Sequence, residues 1–249
     1  MKRMVYEKSR GLTDTPFTYC PGCSHGIINK LVAECLVELG ILEKTILVAS
    51  VGCSVFAYDF FNCDGVQAAH GRAPAVATGI KRTKPDNIVF TYQGDGDLAS
   101  IGTAEIIHAA HRGENITVIF VNNAIYGMTG GQMAPTTLVG QRTSTSPNGR
   151  LEQLQGKPIK VSELLAQVPS ATYIERVSSH DVPHILRAKK AIKKAFQNQI
   201  DGLGFSMVEV LAACNIGLKA SPAEGMRFIA DEMCSYYPLG VYKEGRGAR

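Results

Sequence analysis

Apolar residues along the chain recur in two periods that alternate with one another. Ile27, Ile28, Leu31, Val32, Cys35, Leu36 and Leu39 fall at helical spacing and predict a helix over 24–39, with Ser24 as its cap and Gly40 as its end. The run Ile46 to Ala49 reads as a buried strand; a polar, glycine-containing loop follows, then a helix over Ala73 to Lys81. Two β-rich runs, Ile88 to Tyr92 and Ile116 to Val121, enclose the helical pattern Leu98, Ile101, Ile106, Ala110. From Asn122 to Arg150 periodicity gives way to Gly, Thr, Ser and Pro, and structureless stretches longer than ~15 residues are usually functional or disordered. Beyond it a helix (Val161 to Val168), a strand (Thr172 to Val177), a long helix (Val182 to Asn198) and a strand (Phe205 to Leu211) are expected. Strand and helix alternate throughout, which predicts a single α/β domain with a mainly parallel sheet flanked by helices.

Composition agrees with that picture. The chain has 249 residues, 45% hydrophobic and 19% charged, as in an ordinary globular protein. The longest charge-free window, Asn115 to Gln141, holds only a short apolar core, whereas a membrane-spanning helix needs ~20 predominantly apolar residues. The formal net charge of +4 belongs to the ends: residues 1–10 carry four basic and one acidic side chain, residues 243–249 three and one. The remainder is nearly neutral, so neither a nucleic-acid footprint nor a membrane partner is expected. Seven cysteines are an odd number, and the first residues lack the apolar stretch of a signal peptide. A reducing cytoplasm is the expected setting, where clustered cysteines bind metals more often than they form disulfides.

The unusual polar and sulfur residues share one position. Gly52-Cys53-Ser54 follows the first strand, Gly94-Asp95-Gly96-Asp97 the next, Asn122-Asn123 the third and Cys214 the last. In a parallel sheet all of these emerge on one edge, where ligands bind. Gly-Asp-Gly alone is common turn chemistry. Asp95 and Asn123, however, are one loop, helix and strand apart, so they emerge side by side, and a carboxylate with an amide oxygen suits a hard cation such as Mg²⁺. The flanking glycines let the backbone approach a diphosphate, and a helix starting near Leu98 aims its N-terminus there. Cys20 and Cys23 can act as a zinc half-site, a redox pair or two corners of an iron–sulfur cubane, which needs four thiolates; Cys53 and Cys214 are candidates to complete it.

Gly94-Asp95-Gly96 followed by Asn122-Asn123 resembles the thiamine-diphosphate motif. Together with Cys20-Pro-Gly-Cys23, Val51-Gly52-Cys53-Ser54, His70-Gly71-Arg72 and the run Asn122 to Gln132, it resembles the β subunit of 2-oxoacid:ferredoxin oxidoreductases over about residues 17 to 240. The resemblance implies a thiamine-diphosphate domain carrying iron–sulfur ligands over 17–240, between an arm (1–16) and a basic tail (241–249). It implies Mg²⁺ held by Asp95, Asn123 and the Ile125 carbonyl. Thiamine contacts are implied at Val51, Gly52, Cys53, Ser54, His70, Gly94, Gly96, Asp97, Gly127 and Met128, and a 4Fe-4S cluster on Cys20, Cys23, Cys53 and Cys214. His70, Arg72 and Met128 become the catalytic candidates. Many relatives continue the last cysteine as Cys-Pro-Thr-Asn-Trp; this chain reads Cys214-Asn215-Ile216-Gly217 and keeps the thiolate without the proline and tryptophan.

The implied reaction is oxidative decarboxylation of a 2-oxo acid to an acyl-CoA, with electrons passing through the cluster to ferredoxin. The implied partners are an α subunit that supplies the glutamate activating the pyrimidine, with γ and ferredoxin-like δ subunits. Met128 and Gly130 offer nothing to a second carboxylate, which favours a branched-chain substrate of the 2-oxoisovalerate class over 2-oxoglutarate. A non-redox thiamine decarboxylase and a non-catalytic binding subunit are the competing classes. Cys35 is expected to pack, and Cys63 and Cys234 to have no chemical role. His108 and His111 are expected on a helix surface, while His25, His180 and His184 have no evident partner. Arg187, Lys189, Lys190, Lys193 and Lys194 read as a solvated basic face, with a docking site for acidic ferredoxin as the minor alternative.

Overall fold

The computed structural model of the chain describes residues 7–245; the first six residues of the expected arm and the last four of the expected basic tail lie outside the described residues. Helix α1 (Ser24–Glu38) leads to strand β1 (Thr45–Ser50), a short helix α2 (Ala57–Phe60) and strand β2 (Asp64–Ala68). Then come α3 (Ala73–Thr83), β3 (Ile88–Gly94), a π-helical turn (Asp97–Ile101) running into α4 (Thr103–His111), and β4 (Thr117–Asn122). After the long loop follow α5 (Glu152–Gln155), α6 (Val161–Ala166), β5 (Ala171–Ser178), α7 (Val182–Ile200), β6 (Phe205–Leu211), α8 (Pro222–Phe228) and β7 (Gly240–Glu244).

The strands form one sheet in the order β2-β1-β3-β4-β6-β5-β7, parallel throughout except for β7, which runs antiparallel to β5. Successive side chains point to opposite faces. Leu47, Ala49, Phe90, Tyr92, Ile119, Val121, Val208 and Val210 share one core with α1 and α7, while Val48, Val89, Val118, Phe120 and Met207 share the other with α3, α4 and α6. Because both faces are covered, the central strands are apolar along nearly their whole length, which made them legible as continuous runs.

The elements absent from the hydrophobic pattern are peripheral ones. Four of the five residues of β2 are exposed, so it has no buried face to impose a period. The segment expected to begin a basic tail at 241 instead supplies β7 through Glu244. Residues Gly11–Thr13 of the expected arm are packed down: Leu12 is buried and the Thr13 amide donates to the Phe60 carbonyl at 2.8 Å. Helix α8 begins with a capping box between Ser221 and Glu224 and continues as a π turn, whose Ile229 and Met233 pack with Tyr237 over Ala124 and Ala213. Ser24 does not cap α1. The N-cap is Cys23, and the Ser24 hydroxyl accepts instead from the Ala213 amide (2.9 Å) and the Ser179 hydroxyl (3.1 Å).

The stretch from Asn122 to Arg150 is organised by one buried cation. The Arg150 guanidinium donates to the carbonyls of Ala134, Pro135, Thr137, Gln155, Gly156 and Lys157, satisfying backbone acceptors that have no strand or helix to pair with. A second buried cation, Arg176 on β5, donates to Glu209 on β6 (2.8 Å) and to Glu163 on α6 (2.5 and 2.9 Å). Glu209 in turn accepts from Asn122 Nδ2 (2.7 Å) at the end of β4. Removing one partner of a buried pair leaves a charge without compensation. Glu209→Ala should therefore lower stability by about 3–5 kcal/mol, read as a fall in the denaturation midpoint. Lys194→Ala, which removes the exposed Lys194–Glu244 pair, should cost no more than about 1 kcal/mol.

Candidate functional site

Strands β3 and β4 are adjacent with Gly94 opposite Val121, so Asp95 and Asn123 emerge together at the carboxyl edge. The Asp95 carboxylate is only 2% exposed. One oxygen accepts from the Gly96 amide (2.8 Å), the other from the Thr136 hydroxyl (2.6 Å) and the Ile125 amide (3.2 Å). The Ile125 amide also donates to Asn123 Oδ1 (3.3 Å), so one N–H bridges the Asp95 and Asn123 side chains. Ala124 turns through the left-handed region (φ 59°) to make this possible, and its carbonyl is held by Thr137 (2.7 Å) and Gln141 (3.0 Å). Every donor to Asp95 is neutral. Burial consequently pushes its carboxyl up to about 6 even though the hydrogen bonds from Thr136, Gly96 and Ile125 pull the other way. A buried anion without a countercharge, beside an amide oxygen, fits a hard divalent cation.

These residues border a cavity of about 150 Å³ that also takes in Val51, Gly52, Cys53, Ser54, His70, Asp97, Ile125, Gly127 and Met128. Gly94 and Gly96 line it as well. A Cβ on Gly96 would lie 2.1 Å from the Tyr126 ring, whose hydroxyl donates to the Gly96 carbonyl at 2.9 Å. The backbone is thus kept bare where a diphosphate would approach. Asp97, at the start of the π turn, is saturated by the protein: it accepts from Ser50 (2.7 Å), the Gly71 amide (2.6 Å) and Gln93 (2.6 Å). His70 Nδ1 lies 2.7 Å from the same carboxylate but outside hydrogen-bond geometry, so the imidazole stands at the cavity wall with that nitrogen unsatisfied. The Ser54 hydroxyl is taken up by the Ser50 carbonyl (3.0 Å). Arg72 is not at the cavity. Its guanidinium turns outward to Glu105 on α4 and the Ile101 carbonyl (3.2 Å), so it is not among the residues that line this cavity.

The four cysteines come from three directions. Cys20 and Cys23 flank a tight turn, closed by a Cys23 amide to Cys20 carbonyl bond (3.0 Å), in which Gly22 has φ 82°. A Cβ on Gly22 would lie 2.5 Å from Pro222, so only glycine fits the contact with α8. Ser24–Ala213 and Asn215 Nδ2 to the Pro21 carbonyl (3.1 Å) lash this turn to the Cys214 loop. Cys53 enters from β1 after Gly52 (φ 118°). A Cβ on Gly127 would lie 3.0 Å from Cys214 Sγ and 3.9 Å from Cys53 Sγ, so this glycine lets the Cys214 sulfur lie against the wall of the cavity that Cys53 itself lines. Burial pushes Cys23 up to about 12 and Cys53 to about 11, and each is raised further by Cys214 and Cys20. Only bound metal would hold several mutually repelling thiolates here.

His25, without an evident partner in sequence, is buried at the cavity wall, with Nδ1 2.8 Å from the Tyr92 hydroxyl and its ring stacked on Tyr19. Burial pushes it down to about 4. Only its closeness to Cys23 hints at this in sequence. Thr136 and Tyr126 were likewise invisible as site residues, because the loop that carries them has no period. His180 and His184 do have a partner: Asp181, which lies 3.4 Å from the first, 2.6 Å from the second, and caps α7. The basic face of α7 is largely paired, with Lys189 to Glu34 and Glu38, Lys193 to Glu38, and Lys194 to Glu244. Cys35 is fully buried, while His108 and His111 are exposed.

Residues 50–210 match the thiamine pyrophosphate enzyme, C-terminal TPP binding domain family. The chain is 50% identical over 240 residues to the ketoisovalerate oxidoreductase subunit VorA of Methanothermobacter thermautotrophicus, covering 96% of this chain and 50% of that protein. It is 36% identical over 222 residues to the 2-oxoglutarate synthase subunit KorB of Methanocaldococcus jannaschii, covering 87% of this chain and 78% of that one. The 2-oxoglutarate:ferredoxin oxidoreductase of Magnetococcus marinus, solved with 2-oxoglutarate, coenzyme A and succinyl-CoA bound, superposes with a TM-score of 0.77 at 25% identity, covering 98% of this chain and 86% of that one. The chain spans about half the length of VorA. It belongs to the thiamine pyrophosphate enzyme family, in the branch of 2-oxoacid oxidoreductase subunits.

With its carboxyl raised in the folded chain, Asp95 contributes stability that is complete below its ordinary 3.8 and lost as pH rises through about 6. In the cation-free protein, stability should therefore shift in favour of Asp95→Asn over wild type as pH rises from about 4 to about 7, by up to about 3 kcal/mol. Denaturation midpoints of both proteins across that range check it, and a pH-independent difference contradicts it. Mg²⁺ with thiamine diphosphate should stabilise only the wild type.

Proposed function

We propose that the chain is the thiamine- and cluster-binding subunit of a CoA-acylating 2-oxoacid:ferredoxin oxidoreductase. The observation that carries this is the meeting of two donor sets at one cavity: Asp95 and Asn123 line it together with Cys53, and the Cys214 sulfur lies against Gly127 in its wall. Overall, a 2-oxo acid anion and a thiol give a thioester, CO₂, one proton and two electrons. When bound, thiamine diphosphate supplies the decarboxylation chemistry and a 4Fe-4S cluster the single-electron steps.

Asp95, Asn123 and the Ile125 carbonyl hold Mg²⁺ on the diphosphate, and Gly94, Gly96 and the π turn receive it. Val51, Gly52, Ser54, Gly127 and Met128 shape the remaining wall. His70 is a polar side chain available in the cavity wall beside the reacting centre. Cys20, Cys23, Cys53 and Cys214 hold the cluster.

No glutamate lines the cavity among the described residues, so the group that activates the pyrimidine comes from a partner subunit. Electrons leave to ferredoxin, and γ and ferredoxin-like δ subunits complete the assembly. Met128 presents an apolar wall at the cavity mouth, which favours a branched-chain 2-oxo acid of the 2-oxoisovalerate class; 2-oxoglutarate is second. The half-length match to VorA at 50% identity supports the first, the longer match to KorB the second.

The anaerobically purified complex should carry about four irons per chain on this site, in addition to thiamine diphosphate. Asp95→Ala should lose the thiamine and keep the iron, whereas Cys20→Ser should lose the iron. The isolated chain should reduce no viologen with any 2-oxo acid. Turnover by the isolated chain, or wild-type iron content in Cys20→Ser, contradicts the assignment.

A further inference from the structure

A separate group of side chains able to ligate a metal stands at the carboxyl end of β5, and none of its members lines the cavity at Asp95. Strand β5 ends at Ser178 and α7 begins at Val182, so only Ser179, His180 and Asp181 connect them. Asp181 caps α7, and the first turn of the helix carries His184, three residues on, back over the carboxylate. His180 precedes the cap, and its ring packs on that of His184 with centroids 4.0 Å apart. One ligand atom from each of the three residues lies within 4.8 Å of the others.

The fold orients these donors from behind. The Ser178 hydroxyl lies 3.0 Å from His180 Nδ1; accepting from that N–H, it leaves the Nε2 lone pair turned to Asp181 Oδ2, 3.4 Å away. A hydrogen bond from the second ring nitrogen is the usual support of a metal-bound histidine. Asp181 Oδ1 accepts from the His184 amide at 2.8 Å and lies 2.6 Å from His184 Nδ1. A helix cap accounts for these bonds between Asp181 and His184. It does not account for a second imidazole held with its free nitrogen toward the same carboxylate. Donors about 2.0–2.2 Å from a tetrahedral ion lie about 3.3–3.6 Å apart, the separation already present between His180 Nε2 and Asp181 Oδ2. The closer pair, Asp181 and His184, reaches it by exchanging their shared proton for the ion. The imidazoles are 13% and 22% exposed and the carboxylate 45%, so an ion can enter from solvent and keep a water as its fourth ligand. Two imidazole nitrogens with one carboxylate oxygen suit zinc and its transition-metal neighbours, whereas Mg²⁺ and Ca²⁺ prefer oxygen throughout. We infer that His180, Asp181 and His184 form a site for a divalent transition-metal ion of the zinc type, distinct from the cation site at Asp95. Bound there, the ion ties the end of β5 to the first turn of α7, next to Ser179, whose hydroxyl holds Ser24 (3.1 Å). The inference does not rest on the function proposed above.

The test dialyses the assembled, anaerobically purified complex against Zn²⁺ and measures bound zinc in wild type, His180→Gln, His184→Gln and Asp181→Asn. Denaturation midpoints without zinc verify folding. Asparagine is itself a good helix cap, so Asp181→Asn keeps α7 intact even where a histidine variant disturbs the turn. Wild type should hold about one zinc per chain more than each variant, and should keep it in a large excess of Mg²⁺. Losing a partner behind a ligand already costs roughly 10–100-fold in metal affinity, so losing a ligand should raise the Kd for zinc about tenfold or more. Zinc should also raise the denaturation midpoint of wild type and leave those of the variants where they were. Equal zinc uptake by wild type and all the variants overturns the proposal, because the ion is then held elsewhere. Displacement of the zinc by Mg²⁺ also overturns it, because oxygen ligands alone would then account for the binding.

Discussion

A carboxylate buried without a countercharge, that of Asp95, is the constraint on which the rest of the site depends. Neutral donors from Gly96, Ile125 and Thr136 soften its isolation but do not neutralise it. Each of those donors must in turn be placed by a different part of the fold. Ile125 needs the left-handed Ala124; Thr136 needs the loop gathered by Arg150, and its carbonyl accepts from Tyr237 (2.7 Å) in the C-terminal roof. The aperiodic loop and the C-terminal helices are therefore parts of one support for a cation site.

The same edge of the sheet places the sulfurs. Strands β1 and β6 are separated in the sheet by β3 and β4, yet their loops lean toward each other over Gly127, the residue that follows the cation-binding turn. A side chain at 127 would press on the Cys214 sulfur, so a bare backbone lets that sulfur lie against the cavity wall. The Ser24 hydroxyl, spent on Ala213 rather than on capping its own helix, sets the Cys20–Cys23 turn against the Cys214 loop. Helix capping yields here to the placement of the Cys20–Cys23 turn against the Cys214 loop.

How much of this was legible in sequence depended on whether burial imposed a period. Strands β1, β3, β4 and β6, covered on both faces, wrote themselves as apolar runs; their ends then located Asp95, Asn123, Cys53 and Cys214 without any further information. The exposed edge strand β2 and the antiparallel β7 left no such trace. Arg150 and Arg176 were unreadable because a buried cation is recognised only by the acceptors around it, and these lie at distant positions in the chain. The orientation of Arg72 was unreadable for the same reason: His70 lines the cavity, but two residues further on the side chain points to Glu105. In sequence, the turn signature Ser-Pro-Ala-Glu at 221–224 was the available sign of α8.

In the proposed function, electrons released in the thiamine cavity pass directly to a cluster on this chain. Mixing the anaerobic, assembled complex with its 2-oxo acid in the absence of coenzyme A, and freezing within one turnover for electron paramagnetic resonance, tests it most directly. A reduced iron–sulfur signal that forms in the wild type and disappears in Cys20→Ser is the predicted result. Decarboxylation with no such signal, or a signal that survives Cys20→Ser unchanged, would contradict it.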